Sequence, residues 1–238
     1  MPVHPYAGDT FVAFMDISGF SNMMSDGDRA WHVLNRFYSA GFGVLRQQTQ
    51  LDRAHVEGFF ISDSGILFVR ATDTEAKTGS LTQLLGAVRE MNVEMAKVDA
   101  MLTSSIAWGY FSYDERLQFA GIEKQALYGN AYVAAVLDNM KEAPAIQPGQ
   151  CRIVRRHLPN DVVDAIERHT AGLELVCKRG DDRDRFYHYW MLNSANDVAA
   201  FERNYARAAD ARYREHLRLL RRSVGLEPRH RLPHSSVH

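Results

Sequence analysis

Residues 10–17, TFVAFMDI, constrain the fold of this chain more than any other segment. The segment is an apolar run with a carboxylate, Asp16, just before its last residue, and Gly19 follows soon after. A short, continuous apolar run bounded by a turn signal is typical of a strand that is buried on both faces. The sequence therefore predicts a buried strand that ends at an acidic residue and a turn.

The following residues alternate between helix-like and strand-like patterns. Apolar residues recur at spacings of three and four in residues 28–48 and 80–98, which predicts two amphipathic helices. Between them, residues 55–63 and 65–70 predict a hairpin, and residues 103–111 predict a further strand. The order strand, helix, two strands, helix, strand is that of a split βαβ arrangement.

The second half of the chain predicts shorter elements and a helical C-terminus. No linker divides the sequence, so we expect one α+β domain of the ferredoxin-like split βαβ type with a C-terminal helical extension. The expected parts are an N-terminal segment (1–9), the main domain (10–193), a region with one long helix at 196–222 (194–224) and a mobile tail (225–238). The main domain should also contain a helix at 131–140, a strand at 152–154, a helix at 159–169 and a hairpin of 173–178 with 186–192.

Composition excludes several classes of protein. Lysine and arginine number 28 and aspartate and glutamate 29, so a formal charge of −1 gives no general attraction to nucleic acid or to an anionic membrane. Cys151 and Cys177 are the only cysteines, which excludes a disulfide framework and a four-cysteine zinc site. No signal peptide precedes the first strand, and no apolar run reaches the ~18 residues of a membrane span. We therefore expect a cytoplasmic protein that binds neither nucleic acid nor membrane.

The ends of the first strand and of the hairpin each carry a carboxylate. Asp16 and the Ile17 carbonyl lie where the first strand ends, and Asp63 lies at the hairpin tip. In a split βαβ sheet the first strand lies beside the hairpin, so the two aspartates can meet. Carboxylate and carbonyl oxygens suit Mg²⁺ or Mn²⁺, with substrate phosphates completing the coordination. Each aspartate alone is better explained as a turn residue, and only the pair on this framework favours a metal site.

A phosphate site is predicted beside this pair. Gly19 allows the backbone to turn, so that the N–H groups of Gly19, Phe20 and Ser21 face outward at the start of a helix, where they suit phosphate oxygens.

Three segments resemble motifs of the class III nucleotidyl cyclases. Residues 14–21, FMDISGFS, are similar to their F-x-D-I-x-G-F-[ST] motif, and residues 61–65, ISDSG, are similar to the hairpin tip with the second metal aspartate. Residues 105–109 followed by 128–135, YGNAYVAA, resemble a later G-[DN]-x-V-N-x-A segment. The resemblance covers about residues 11–192. It implies two divalent metal ions, a homodimer with active sites at the interface, and conversion of a nucleoside triphosphate to a 3′,5′-cyclic monophosphate and pyrophosphate.

The departures from these motifs concern the base and the transition state. Phe59 stands where purine cyclases carry a lysine or a glutamate that selects the base, and Ala126 stands at the partner base position. Val133 and Leu137 replace an asparagine and an arginine, and neither side chain can donate a hydrogen bond. Either the chain is a catalytically inactive cyclase fold used for binding, or it cyclises a different base. The retained aspartate pair favours the second explanation.

A chain of this length with these departures is similar to the bacterial anti-phage pyrimidine cyclases of the Pycsar system, with the uridylate cyclase branch favoured. That resemblance implies that UTP is converted to cyclic UMP, which acts on a separate effector protein. The alternatives are a cytidylate cyclase that makes cyclic CMP from CTP and an inactive nucleotide sensor. An RNA-binding sheet is disfavoured, because the predicted strands are apolar on both sides.

One further cation is implied near the triphosphate. Lys178 follows a predicted strand and resembles the late lysine of cyclases that contacts the triphosphate, although a solvated turn explains it equally well. Arg53, Arg116 and Lys124 are alternative cations. Aromatic residues such as Phe59 and its neighbour Phe60 in a hairpin are more often core or interface residues than platforms on which a base stacks.

Overall fold

The computed structural model describes residues 5–48, 55–70, 76–114, 118–119, 122–123, 126–142, 144–180, 182–209 and 213–226. The expected α+β class is confirmed. The strands are β1 (Tyr6–Ile17), β2 (His55–Ile61), β3 (Ser64–Arg70), β4 (Leu102–Asp114), β5 (Gln118–Phe119), β6 (Ile122–Glu123), β7 (Ala126–Tyr128), β8 (Cys151–Val154), β9 (Val176–Cys177) and β10 (Arg185–His188). The helices are α1 (Phe20–Met23), α2 (Gly27–Gln48), α3 (Lys77–Ala96), α4 (Asn130–Asn139), α5 (Asn160–Glu167), α6 (Val198–Ala209) and α7 (Tyr213–Ser223), with a 3₁₀ turn at Ala195–Asp197.

The main sheet has the split βαβ order. Its strands follow the sequence β2-β3-β1-β4-β8-β10-β9, and β7 also pairs with β4. β1 lies near the middle of the sheet and is antiparallel to both of its neighbours, β3 and β4. β4 and β8 are parallel. The predicted hairpin of β2 and β3 therefore lies directly beside β1.

The apolar character of β1 is explained by cover on both of its faces. Phe11, Met15 and Ile17 point into the main core, which also contains residues of α2, α3 and α5. Val12 belongs to a second apolar cluster, on the other face, to which α4 contributes Ala131. Alternate residues of one strand thus enter different cores, which is why the run contains so little polar sequence.

A buried polar network anchors α4 to the sheet. Asp138, near the end of α4, accepts a hydrogen bond from the Ser105 hydroxyl of β4 at 2.9 Å and pairs with the Arg185 guanidinium of β10. Asp182 accepts further hydrogen bonds from Arg185 at 3.3 Å and from the Tyr187 hydroxyl at 2.8 Å. A buried charge is tolerated only when its partners are in place, so this network holds α4 in one position on the sheet.

The C-terminal region differs from the expectation. The prediction of one long helix at 196–222 is wrong, because the region contains α6 and α7, which fold back on each other. The Tyr205 ring stacks on the His216 ring with centroids 4.2 Å apart, whereas eleven residues of one helix span about 16 Å. Tyr205 of α6 and Leu220 of α7 both belong to the main core.

Other element boundaries also move. β1 begins at Tyr6 rather than at residue 10, since Tyr6 pairs with Tyr113 of β4. The last hairpin is shorter than expected and consists of β9 and β10 alone. β5, β6 and β7 were not predicted. Most of the tail expected to be mobile lies outside the described residues. None of the helices in the described ranges is both long and apolar enough to span a bilayer.

Candidate active site

The structure brings Asp16 and Asp63 together at one end of the central strand β1. In the β1–β3 ladder Asp16 lies opposite Ser64, the residue after Asp63. Beyond the ladder, the Ile17 N–H donates a hydrogen bond of 3.1 Å to the Asp63 carbonyl. The end of β1 and the hairpin tip are therefore joined directly, and the two aspartates that are distant in sequence become neighbours.

The Asp16 carboxylate is partly buried and lies near a second negative charge. The pKa of Asp16 is raised from 3.8 to about 6. Burial is the main cause and the Asp63 charge also raises it, whereas the hydrogen bond of 3.0 Å that the Ser64 hydroxyl donates to Oδ1 lowers it. A carboxylate in this position favours either a proton or a cation. Ser64, which the sequence did not single out, is thus a contact of the first aspartate. Its position opposite Asp16 is set by the register of the β1–β3 ladder, for which the sequence carries no local signal.

The turn after β1 begins a short helix. Gly19 has φ 72°, in the left-handed region, and is the N-cap of α1, with its carbonyl accepting from the Asn22 N–H at 3.1 Å. A Cβ at Gly19 would meet nothing within 4 Å, so the backbone angle is what favours glycine there. The N–H groups of Phe20 and Ser21 lie in the first turn of α1, where a helix offers them no acceptor. The adjacent Ser18 hydroxyl is buried and has no hydrogen-bond partner among the described residues.

Lys178 lies far from the aspartates of its own protomer. It follows β9, and β10, β8 and β4 lie between β9 and β1 in the sheet. Four strand spacings correspond to about 19 Å. The Lys178 ammonium forms an ion pair of 2.7 Å with Glu167 of α5. Lys178 therefore does not lie beside the junction of Asp16 and Asp63 in the same chain.

Phe59 lies in the second apolar cluster. Its side chain is 6% exposed and contacts the rings of Phe68 and Tyr113, with centroids 6.0 and 4.5 Å away. The neighbouring Phe60 contacts Phe37 of α2 on the other face. The Phe59 ring thus lies inside this cluster near β7 and is not exposed at the surface of the sheet.

An apolar stripe lies on the outer face of α4. Val133, Leu137 and Met140 are 49%, 64% and 70% exposed, and they follow one another at helical spacings of four and three residues. Two of them occupy the positions where the resemblance places polar residues. Arg53, Arg116 and Lys124, the alternative cations, lie outside the described residues.

Comparisons with known proteins identify the fold. The sequence matches no protein-family model, and it matches no curated protein significantly. The adenylyl cyclase CyaB from P. aeruginosa is similar in structure, with a TM-score of 0.53 at 13% identity over 78% of this chain and 94% of that chain. This chain has the class III nucleotidyl cyclase fold.

Two further solved structures share this cyclase fold. The guanylate cyclase domain of RhGC from Catenaria anguillulae, in complex with GTP, has a TM-score of 0.52 at 12% identity over 78% of this chain and 96% of that chain. A class III adenylyl cyclase-like ATP-binding protein from Pseudomonas aeruginosa has a TM-score of 0.53 at 14% identity, over 84% of this chain and 41% of that chain.

The donor set of the cyclase fold in this chain fits a divalent cation. Asp16 and Asp63 would supply hard oxygen ligands, and burial, with a smaller effect of the Asp63 charge, raises the pKa of Asp16. Among the described residues, no group of three or more His, Cys, Asp and Glu side chains could enclose a metal ion. A cation held by the two aspartates and the Ile17 carbonyl would keep coordination positions for the oxygens of a substrate.

Replacing Asp16 by asparagine is expected to stabilise the metal-free protein and to abolish its response to Mn²⁺. The amide keeps an acceptor for the Ser64 hydroxyl and removes a charge that burial and Asp63 disfavour. After allowance for its partial exposure, this is worth about 1 kcal/mol, or roughly 2–4 °C in melting temperature at pH 8. Mn²⁺ should raise the melting temperature of the wild type but not that of Asp16→Asn.

The pH dependence provides a second readout of the same variant. Because the folded pKa of about 6 lies above the unfolded value of 3.8, protonation of Asp16 stabilises the wild type as the pH falls from about 7 to about 4. The same protonation removes a metal ligand, so stabilisation by Mn²⁺ should fade below about pH 6. Thermal melts of wild type, Asp16→Asn and the control Asp9→Asn, an exposed carboxylate at the other end of β1, measure both effects. An Asp16→Asn variant that Mn²⁺ still stabilises would remove Asp16 from the site.

Proposed function

We propose that this chain is a pyrimidine nucleotide cyclase that converts UTP to 3′,5′-cyclic UMP and pyrophosphate with two divalent ions, Mn²⁺ or Mg²⁺. The observation that carries the proposal is the junction of Asp16 and Asp63 beside the Gly19 turn, in a chain with the class III cyclase fold. In the reaction the ribose 3′-oxygen forms a bond to the α-phosphorus, the bond from that phosphorus to the bridging oxygen breaks, and pyrophosphate leaves. The 3′-hydroxyl proton goes to solvent.

The residues of the junction have separate tasks in this reaction. Asp16, Asp63 and the Ile17 carbonyl hold the ions, and Ser64 orients Asp16 through its hydrogen bond. The ions would lower the pKa of the 3′-hydroxyl and offset the charge of the leaving pyrophosphate. The N–H groups of Gly19, Phe20 and Ser21 hold phosphate oxygens at the start of α1. Few protein groups are needed, because in-line phosphoryl transfer requires no protein nucleophile.

A homodimer completes the site. Lys178 is four strands away from Asp16 in its own protomer, so the cation for the triphosphate comes from the partner. The exposed apolar stripe of Val133, Leu137 and Met140 supports this arrangement, because a dimer would remove it from water. Lys178 must leave Glu167 to reach the nucleotide. That exposed ion pair is a weak competitor, since pairs of this kind are worth ~1 kcal/mol or less.

Pyrimidine selection rests on the missing purine readers. Phe59 and Ala126 replace the two side chains that the resemblance assigns to purine recognition, and Phe59 is buried against Phe68 and Tyr113. The absence of both purine readers at these two positions is what supports a pyrimidine substrate. A cytidylate cyclase that converts CTP to cyclic CMP, or an inactive nucleotide sensor, would use the same surface.

The biological role that we propose is anti-phage signalling in the cytoplasm. The cyclic nucleotide leaves the cyclase and acts on a separate effector protein. The resemblance of the sequence to the Pycsar cyclases supports this role.

Incubation of the protein with each of the four ribonucleoside triphosphates and Mn²⁺, followed by mass analysis of the products, tests the activity. We expect cyclic UMP and pyrophosphate from UTP, with lower kcat/KM for ATP and GTP. Asp16→Ala and Asp63→Ala should each retain less than about a tenth of the turnover, because a catalytic metal contributes several kcal/mol to transition-state stabilisation. Asp9→Asn is the matched control.

The outcomes separate the candidate functions. A preference for CTP supports the cytidylate cyclase, and nucleotide binding without turnover supports the sensor. A preference for ATP would contradict the pyrimidine assignment.

Complementation tests the composite site. Asp63→Ala and Lys178→Ala chains should each be nearly inactive alone, whereas their mixture should regain activity because the heterodimer contains one site with both native halves. Random pairing predicts about a quarter of the wild-type activity, since half of the dimers are mixed and each has one of two sites intact. A proven heterodimer without activity would show that each protomer works alone. Mixing Asp63→Ala with Asp16→Ala, which damage the same half, is the negative control.

A further inference from the structure

The C-terminal helix α7 contacts the short turn that joins α3 to β4. The Arg221 guanidinium donates a hydrogen bond of 3.0 Å to the Ala96 carbonyl and also pairs with the Asp99 carboxylate. Asp99 has φ 58°, an unusual angle for a residue other than glycine, so this turn has a defined and tight shape. α7 therefore holds a turn that lies at the same end of the sheet as the two aspartates.

One residue of this turn, Met101, is bonded on both sides. Its N–H donates a hydrogen bond of 3.0 Å to the Tyr213 hydroxyl at the start of α7. Its carbonyl accepts a hydrogen bond of 2.9 Å from the Ser18 N–H. Met101 is 2% exposed, so water does not readily replace either partner. Both peptide groups of Met101 are thereby fixed, one by α7 and the other by the segment after β1.

Ser18 lies between the residues that the proposed function uses. It follows Asp16 and Ile17 and precedes Gly19. On one side, the Ile17 N–H is bonded to the Asp63 carbonyl of the hairpin tip; on the other, the Ser18 N–H is bonded to Met101. The exit of β1 is thus held between the hairpin and the α3–β4 turn, and the second of these supports continues to Tyr213.

We infer that Tyr213 is a positioning residue that sets the geometry of the segment bearing Asp16, Ile17 and Gly19 by bonding Met101. This deepens the proposed function and rests on it. Loss of the hydroxyl leaves the buried Met101 N–H without its acceptor, which frees the Met101 peptide groups to move and loosens the Ser18 hydrogen bond. Loss of a partner that is hydrogen-bonded directly to a metal ligand typically changes metal affinity or activity by about 10-fold to 100-fold. Tyr213 acts through Met101 and Ser18, so we expect an effect at the lower end of that range.

Tyr213→Phe tests the inference, because it removes one oxygen and keeps the ring. Tyr205→Phe is the matched control, since it removes the hydroxyl of the other tyrosine of this helical pair that bonds a backbone group, here the Pro148 carbonyl. Backbone amide exchange of Ser18, measured by NMR on the metal-free protein, should be at least about 10-fold faster in Tyr213→Phe and unchanged in Tyr205→Phe. Mn²⁺ titration should show about 10-fold weaker binding for Tyr213→Phe only.

A second variant tests the same support by another route. Arg221→Met removes the bonds to Ala96 and Asp99 and should also accelerate Ser18 exchange. Unchanged Ser18 exchange in Tyr213→Phe, or equal acceleration in Tyr205→Phe, would overturn the inference. A wild type that binds no Mn²⁺ at all would count against the proposed function, whereas Ser18 exchange decides the positioning role independently.

Discussion

The antiparallel pairing of β1 with β3 is the contact on which the candidate site depends. It places Asp16 opposite Ser64, and the additional hydrogen bond from the Ile17 N–H to the Asp63 carbonyl carries the pairing past the last ladder position. A shift of the register by one residue would turn Asp16 to the other face of the sheet and would send the apolar side chains of β1 into the wrong core. The core and the carboxylate pair are therefore specified by one and the same register.

In this arrangement the ionised form of Asp16 is destabilised. Burial and, to a lesser extent, the Asp63 charge raise the pKa of Asp16, which is about 6. Perturbed carboxylates of this kind cluster at functional sites because an added cation, or a substrate with its cations, relieves the repulsion. Backbone hydrogen bonds to the hairpin tip and to the α3–β4 turn hold the end of β1 in place. The protein therefore does not relieve the repulsion by moving the two aspartates apart.

Local pattern predicted the two-sided apolar run of β1 and the hairpin. The meeting of Asp16 and Asp63, which are distant in sequence, was predicted from the split βαβ order and from the resemblance of both segments to cyclase motifs. The reversal between α6 and α7 was missed because helical periodicity continues through both helices, whereas the stacking of Tyr205 on His216 shows that they fold back on each other. The Tyr213–Met101 hydrogen bond joins residues 112 positions apart and has no local signal. The burial of Phe59 likewise depends on Tyr113 from another strand.

Anomalous diffraction at the manganese edge tests the central claim most directly. Crystals of the protein with Mn²⁺ and a non-cyclising UTP analogue that lacks the 3′-hydroxyl should show two manganese peaks per site, both within coordination distance of Asp16 and Asp63 carboxylate oxygens, with the triphosphate between two protomers. Hard oxygen ligands bind such ions at roughly 2.0–2.3 Å, so the assignment of each peak to its ligands is unambiguous. Manganese peaks away from these aspartates, or a nucleotide held by one protomer alone, would contradict the account.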